Sequence, residues 1–146
     1  MIRTISDCTC TRVRYNEFPD LLFGTTANGQ EYFDATHFIM KKGDVQKHNV
    51  RQFEMLFIHW KKALCEAYDI PLEDVVVVDK EQSHILIDEA FALLFVAYVD
   101  PMFGVYMLER MSEMLINGLV LSDTNILMMS RSRLSKEQLS NLTNEK

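Results

Sequence analysis

Ten consecutive apolar residues, AFALLFVAYV at positions 90–99, constrain this chain more than any other feature in it. The run is about half the ~20 residues that a helix needs to cross a bilayer. A helix that is apolar all round must therefore be wrapped by the rest of the protein. Asp100-Pro101 follows, and the residue before a proline leaves the α region, so a helix is predicted over 88–99. With 146 residues, 48% of them apolar, the chain is long enough to enclose such a helix in one core. The expectation is a single α+β domain over 1–146.

The elements around that helix can be read in order. Residues 11–15 (TRVRY) have strand character, and 21–25 and 31–33 flank Ala27-Asn28-Gly29, an Asn-Gly hairpin signal. Residues 35–42 suggest a short helix with Phe38 and Ile39 inward, ended by Gly43. Asn49, with Gln52 three residues on, resembles a capping box. Behind it Phe53, Leu56, Phe57, Trp60, Leu64, Ala67 and Tyr68 recur at helical spacing on an arc of roughly 120°. One long helix is predicted there, closing at Ile70-Pro71. Residues 75–78 and 84–87 are β-rich runs around the polar DKEQS and suggest a hairpin with a charged tip. A second C-terminal helix carries Phe103, Tyr106, Met107, Met111, Met114 and Leu115, and Ser135 with Gln138 suggests a last short one. The two strongest apolar helices require each other, so Phe53, Trp60, Leu64, Phe91, Leu94, Phe95 and Phe103 are expected in one cluster.

The reactive residues do not assemble into a catalytic pattern. Cys65 and His59 lie six apart, which turns them roughly 120° from each other on a helix and separates a thiol from its base. Cys8-Thr9-Cys10 has no second Cys or His pair at zinc spacing. The five glycines are isolated, so no phosphate-binding loop is present. The reading is a protein that is not an enzyme, with no metal and no cofactor. Three cysteines cannot complete a disulfide set, and MIRTISDCTC lacks a signal peptide's apolar stretch, which favours the cytoplasm.

Charge position is more informative than total charge. The chain carries −6 overall, which argues against coating nucleic acid or membrane with the whole surface. Yet residues 41–62 hold six basic residues (Lys41, Lys42, Lys47, Arg51, Lys61, Lys62) against Asp44 and Glu54. That is +4, leaving −10 for the remainder. A basic helix opening with Asn49, Arg51 and Gln52, followed by a hairpin tip with Lys80 and Gln82, has the makings of a groove reader.

Two stretches point to a family. EYFDATHFI at 31–39 resembles the strand-into-helix motif of KilA-N domains, with Asp34 at the Asn of Asn-Ala-Thr and Ala35 and Thr36 retained. IDEAFALLFVAYVDPMFGVYM at 87–107 is similar to their second signature, in Ala90, Ala92, Leu93, Ala97, Tyr98, Pro101, Phe103 and Val105. The resemblance spans about 20–118, leaving 119–146 as an extension. It implies a KilA-N/APSES-like fold: N-terminal β-hairpin, helix-turn-helix-like pair, β-hairpin wing and C-terminal helix pair. The function implied is that of a double-stranded DNA-binding regulator of phage or mobile-element type. Carried onto this chain, Lys47, His48, Asn49, Arg51 and Gln52 would face the groove, Lys41 and Lys42 would hold phosphate, and Lys80 would sit on the wing. The alternative is a module of the same fold that binds protein and not DNA. A homodimer is expected through the Met-rich helix at 102–114 together with ILMM at 126–129. No membrane contact is expected.

Overall fold

The structure, a computed structural model, describes residues 2–118. It divides the chain into two compact units, Met1–Val105 and Tyr106–Lys146. The architecture is mixed α+β, with a six-stranded sheet and five α-helices among the described residues. The strands are β1 (Arg3–Ile5), β2 (Arg12–Val13), β3 (Leu22–Thr25), β4 (Glu31–Asp34), β5 (Val76–Asp79) and β6 (Ile85–Asp88). The helices are α1 (Ala35–Lys42), α2 (Val50–Leu56), α3 (Ile58–Tyr68), α4 (Ala92–Val99) and α5 (Pro101–Asn117).

The sheet runs β1-β5-β6-β4-β3-β2, parallel between β1 and β5 and antiparallel elsewhere. Strand alternation sorts its side chains into two faces. Phe23, Phe33, Ile87 and Val76 are register partners across four strands and form one row under the helices. Ile5, Tyr32, Val77 and Leu86 make a smaller cluster on the other face, with Cys8 against them. Gly24 is needed where the chain crosses there, because a Cβ would fall on the Thr9 carbonyl oxygen. The β3–β4 hairpin turns at Gly29 (φ 90°), a left-handed conformation that glycine adopts without cost.

The predicted hairpins and α1 form where the pattern placed them, and four features differ. Strand β1 carries no sequence signal of its own and is held by pairing with β5, more than seventy residues away. Strands β5 and β6 form the expected hairpin, but both are interior to the sheet and do not stand free as a wing. The predicted 88–99 helix begins as a 3-10 turn at Glu89–Phe91 and becomes α-helical only from Ala92.

The predicted long helix is two helices. Phe57 (φ −116°, ψ 30°) ends α2 and restarts α3, changing the phase of the apolar pattern. Trp60, expected in the core, is consequently 58% exposed, and Leu64 is the buried residue of α3. Phe53, Leu64, Phe91 and Phe95 do share one buried cluster, with Leu94 and Phe103 partly buried against it. Phe95, fully buried, is its hub: its ring lies 5.0 Å from Phe53, 5.4 Å from Phe33, 5.8 Å from Tyr98 and 6.3 Å from Phe38. At the start of α5, Phe103 meets Phe18 edge-on at 5.0 Å, and Gly104 lets that turn approach Ala97. In the second unit Arg110 pairs with Glu113 and lies over the Tyr106 ring. Ser135, Gln138 and the 126–129 run lie outside the described residues.

Truncation should separate these two aromatics. Phe95→Ala is expected to cost about 3–5 kcal/mol by urea unfolding, the range for a buried Phe. Trp60→Ala should cost about 0.5 kcal/mol, as a surface change does. Equal losses would put Trp60 back in the core.

Candidate nucleic-acid interface

The segment between α1 and α2 is built from local hydrogen bonds. Asp34 caps α1 by accepting from the His37 N–H at 2.8 Å, and Gly43 N–H closes the helix on the Ile39 carbonyl at 2.9 Å. The Asp44 carboxylate accepts from Gln46 N–H at 2.9 Å, and the Asp44 carbonyl accepts from Lys47 and His48 N–H at 2.9 and 2.7 Å. His48 Nδ1 accepts from Asp44 N–H at 2.9 Å. Asn49 Oδ1 then caps α2 by accepting from Gln52 N–H at 2.7 Å, the forward half of the predicted capping box. Every step is a short-range bond, so the turn is pre-formed by its own sequence.

One long-range residue fastens this turn to the core. The Tyr98 hydroxyl, on α4, accepts from Asn49 N–H at 3.1 Å and donates to Gln52 Oε1 at 2.5 Å. The His48 ring meets the Tyr98 ring edge-on at 5.5 Å. Tyr98 was not singled out as a site residue, yet it carried a signal. It is the one polar-tipped side chain in the 90–99 run, and a buried aromatic hydroxyl must find a partner.

The candidate site residues separate into groups. Lys41, Lys42, Lys47, Asn49, Arg51 and Gln52 are exposed and His48 is half-buried, all between the end of α1 and the first turn of α2. Lys41, Lys47 and Arg51 make no ion pair with another described residue, whereas Lys42 lies 3.7 Å from Asp20. Lys61, expected on the same basic face, is instead half-buried and bonded to Glu54 at 2.8 Å. Lys80 is exposed at the β5–β6 tip, away from the others. That end of the hairpin is pinned to the start of α1, through His84 Nδ1 to Asp34 Oδ2 at 2.7 Å and Ile85 N–H to Thr36 Oγ1 at 2.8 Å. Lys41 and Lys42 end the same helix, about 12 Å along its axis.

A cleft of ≈ 480 Å³ adjoins α2, lined by Ile2, Val50, Arg51, Glu54, Lys61 and Ile85 among others. Burial pushes the Cys8, Cys10 and Cys65 thiols up from their ordinary values, away from the reactive thiolate. Among the described residues no His, Cys, Asp or Glu cluster could hold a metal, and no helix is long and apolar enough to cross a membrane. Comparison with known proteins finds no family model, no curated protein and no solved structure that matches this chain.

Asn49→Ala removes the cap and is expected to cost about 1 kcal/mol in urea unfolding; Lys47→Ala should stay within about 0.5 kcal/mol of wild type. In the native protein at pH 8, Cys8 and Cys10 should alkylate with iodoacetamide at least about tenfold more slowly than in urea. A fast-reacting native thiol at either position would contradict their burial.

Proposed function

We propose that this protein binds double-stranded DNA through the α1–α2 segment, as a regulator of KilA-N type. The observation that carries this reading is the concentration of exposed cations on a pre-formed turn. Residues 41–52 contain Lys41, Lys42, Lys47 and Arg51 against Asp44 alone, which is +3, while the remaining chain carries −9. A small basic area on an acidic body orients the approach to a polyanion, because every other surface is repelled. His48, Asn49 and Gln52 interleave the cations with side chains suited to base edges. The direct passage of β4 into α1 at Asp34-Ala35-Thr36 and the succession of α4 and α5 support the family resemblance. This reading places the protein in the cytoplasm and gives it no catalytic centre. It does not require Lys80.

A second reading has its own observation. Met55, Leu56, Trp60 and Tyr68 on α2 and α3 are 71%, 62%, 58% and 72% exposed, an apolar surface suited to a protein partner. A module that binds protein and not DNA would use it. On α5, Met111, Met114, Leu115 and Ile116 are also exposed, and we assign a homodimer to that helix. Such a dimer would suit a palindromic site.

Titration of short duplexes at several salt concentrations tests the DNA reading. Three or four phosphate contacts predict a log–log slope of about −2.7 to −3.6. Replacing Lys41 and Lys42 together with Ala should flatten it by about 1.8, equally for all sequences. Wild-type protein that binds no duplex even at low salt would refute the DNA reading and leave the protein-interaction module.

A further inference from the structure

The three neutral side chains of the α1–α2 segment share a property that none has alone. Asn49 Oδ1 is taken by the Gln52 N–H at 2.7 Å. His48 Nδ1 is taken by the Asp44 N–H at 2.9 Å, so the neutral ring carries its proton on Nε2. Gln52 Oε1 is held by the Tyr98 hydroxyl. Because Asn49 N–H donates to that hydroxyl, its single proton is directed to a carbonyl, and Gln52 Oε1 at 2.5 Å is nearer than the Asn49 carbonyl at 3.3 Å. His48 has therefore spent its one acceptor inside the protein, and Asn49 and Gln52 each have their amide oxygen engaged there by one donor. Among the described residues the His48 Nε2–H and the side-chain N–H groups of Asn49 and Gln52 are left without an acceptor, and Asn49 and Gln52 are exposed. Lys41, Lys42, Lys47 and Arg51 around them are donors only. Asp44 is the one carboxylate in the segment, and one of its oxygens accepts from Gln46 N–H.

Resting on the DNA reading above, we propose that this surface selects guanine in the major groove. Guanine presents two acceptors side by side, N7 and O6, whereas adenine presents an acceptor next to a donor. A free glutamine reads adenine by offering its oxygen and nitrogen together. Here Tyr98 anchors the oxygen end of Gln52 to α4, so only the nitrogen end reaches a base. Cytosine, with its N4 donor, meets only amide oxygens that already accept one hydrogen bond inside the protein. Gln52 is thus the specificity-determining residue, and Tyr98 is the positioning residue that makes it a donor.

The test is selection of bound duplexes from a random-sequence pool, followed by titration of the preferred duplex and its single-base variants. Wild type should prefer guanine over adenine at one or more positions by about tenfold. Replacing that guanine with 7-deazaguanine, which lacks only the N7 acceptor, should weaken binding by a similar factor. Gln52→Ala should abolish the guanine preference and keep the salt slope. Tyr98→Phe, which frees the Gln52 oxygen, should bring adenine to within about threefold of guanine. Should Tyr98→Phe fail to fold, the 7-deazaguanine duplex and Gln52→Ala decide the matter. Salt-sensitive binding without guanine preference, or a preference that survives Gln52→Ala, overturns this inference and leaves the DNA reading standing. Absence of binding to every duplex overturns both.

Discussion

The burial of Phe95 is the contact on which the rest of the first unit depends. One ring touches the sheet through Phe33, α1 through Phe38 and α2 through Phe53. A helix as apolar as α4 has no solvent face to offer, so sheet and helices must close over it from several sides. That closure does more than exclude water. It brings α1 and α2 against the same ring, and one turn further along α4 it sets the Tyr98 hydroxyl beside the start of α2. The placement of the polar turn is thus a consequence of apolar packing.

Local signals in the sequence were legible where the physics is local. Asp34 and Gly43 delimit α1 by capping bonds within a few residues, and Asn49 caps α2 in the same way. Asn28-Gly29 sets the β3–β4 turn because glycine accepts a positive φ. Strand β1 was not legible, since three residues paired in parallel with β5 leave no pattern in their own segment. The break at Phe57 was not legible either. Residues 49–68 keep helical spacing through it, and no proline or glycine marks the spot. A change of phase in mid-pattern turns Trp60 outward and Lys61 inward to Glu54, and both follow from one residue's backbone angles.

The candidate site was half legible for the same reason. Composition located the cations at 41–52, because charge needs no geometry to be counted. Which atoms of His48, Asn49 and Gln52 remain available is a matter of tertiary contact and hydrogen-bond direction. The sequence offers Asn49 and Gln52 as amides with both a donor and an acceptor, and a direct reading would assign them to adenine. Only the positions of Gln52 N–H and the Tyr98 hydroxyl reveal that the acceptors are already engaged.

The net charge of −6 is unevenly placed, and its charged side chains divide into paired and unpaired groups. Three acidic side chains are tied to arginines: Glu31 pairs with Arg12 and Arg14, Glu89 with Arg14, and Asp74 with Arg3. The Arg12 guanidinium beside Glu31 holds that carboxyl below its usual value, so the pairing persists as pH falls through the range where free glutamates protonate. Arginines committed in this way are not available to phosphate. Between residues 41 and 52, Lys42 lies near Asp20, whereas Lys41, Lys47 and Arg51 are exposed and make no ion pair among the described residues. Exposed pairs of this kind contribute little to stability, so their value to this chain is better sought in placement. They hold Arg3, Arg12 and Arg14 against carboxylates, while Lys41, Lys47 and Arg51 lie on and beside the turn that Tyr98 holds in place.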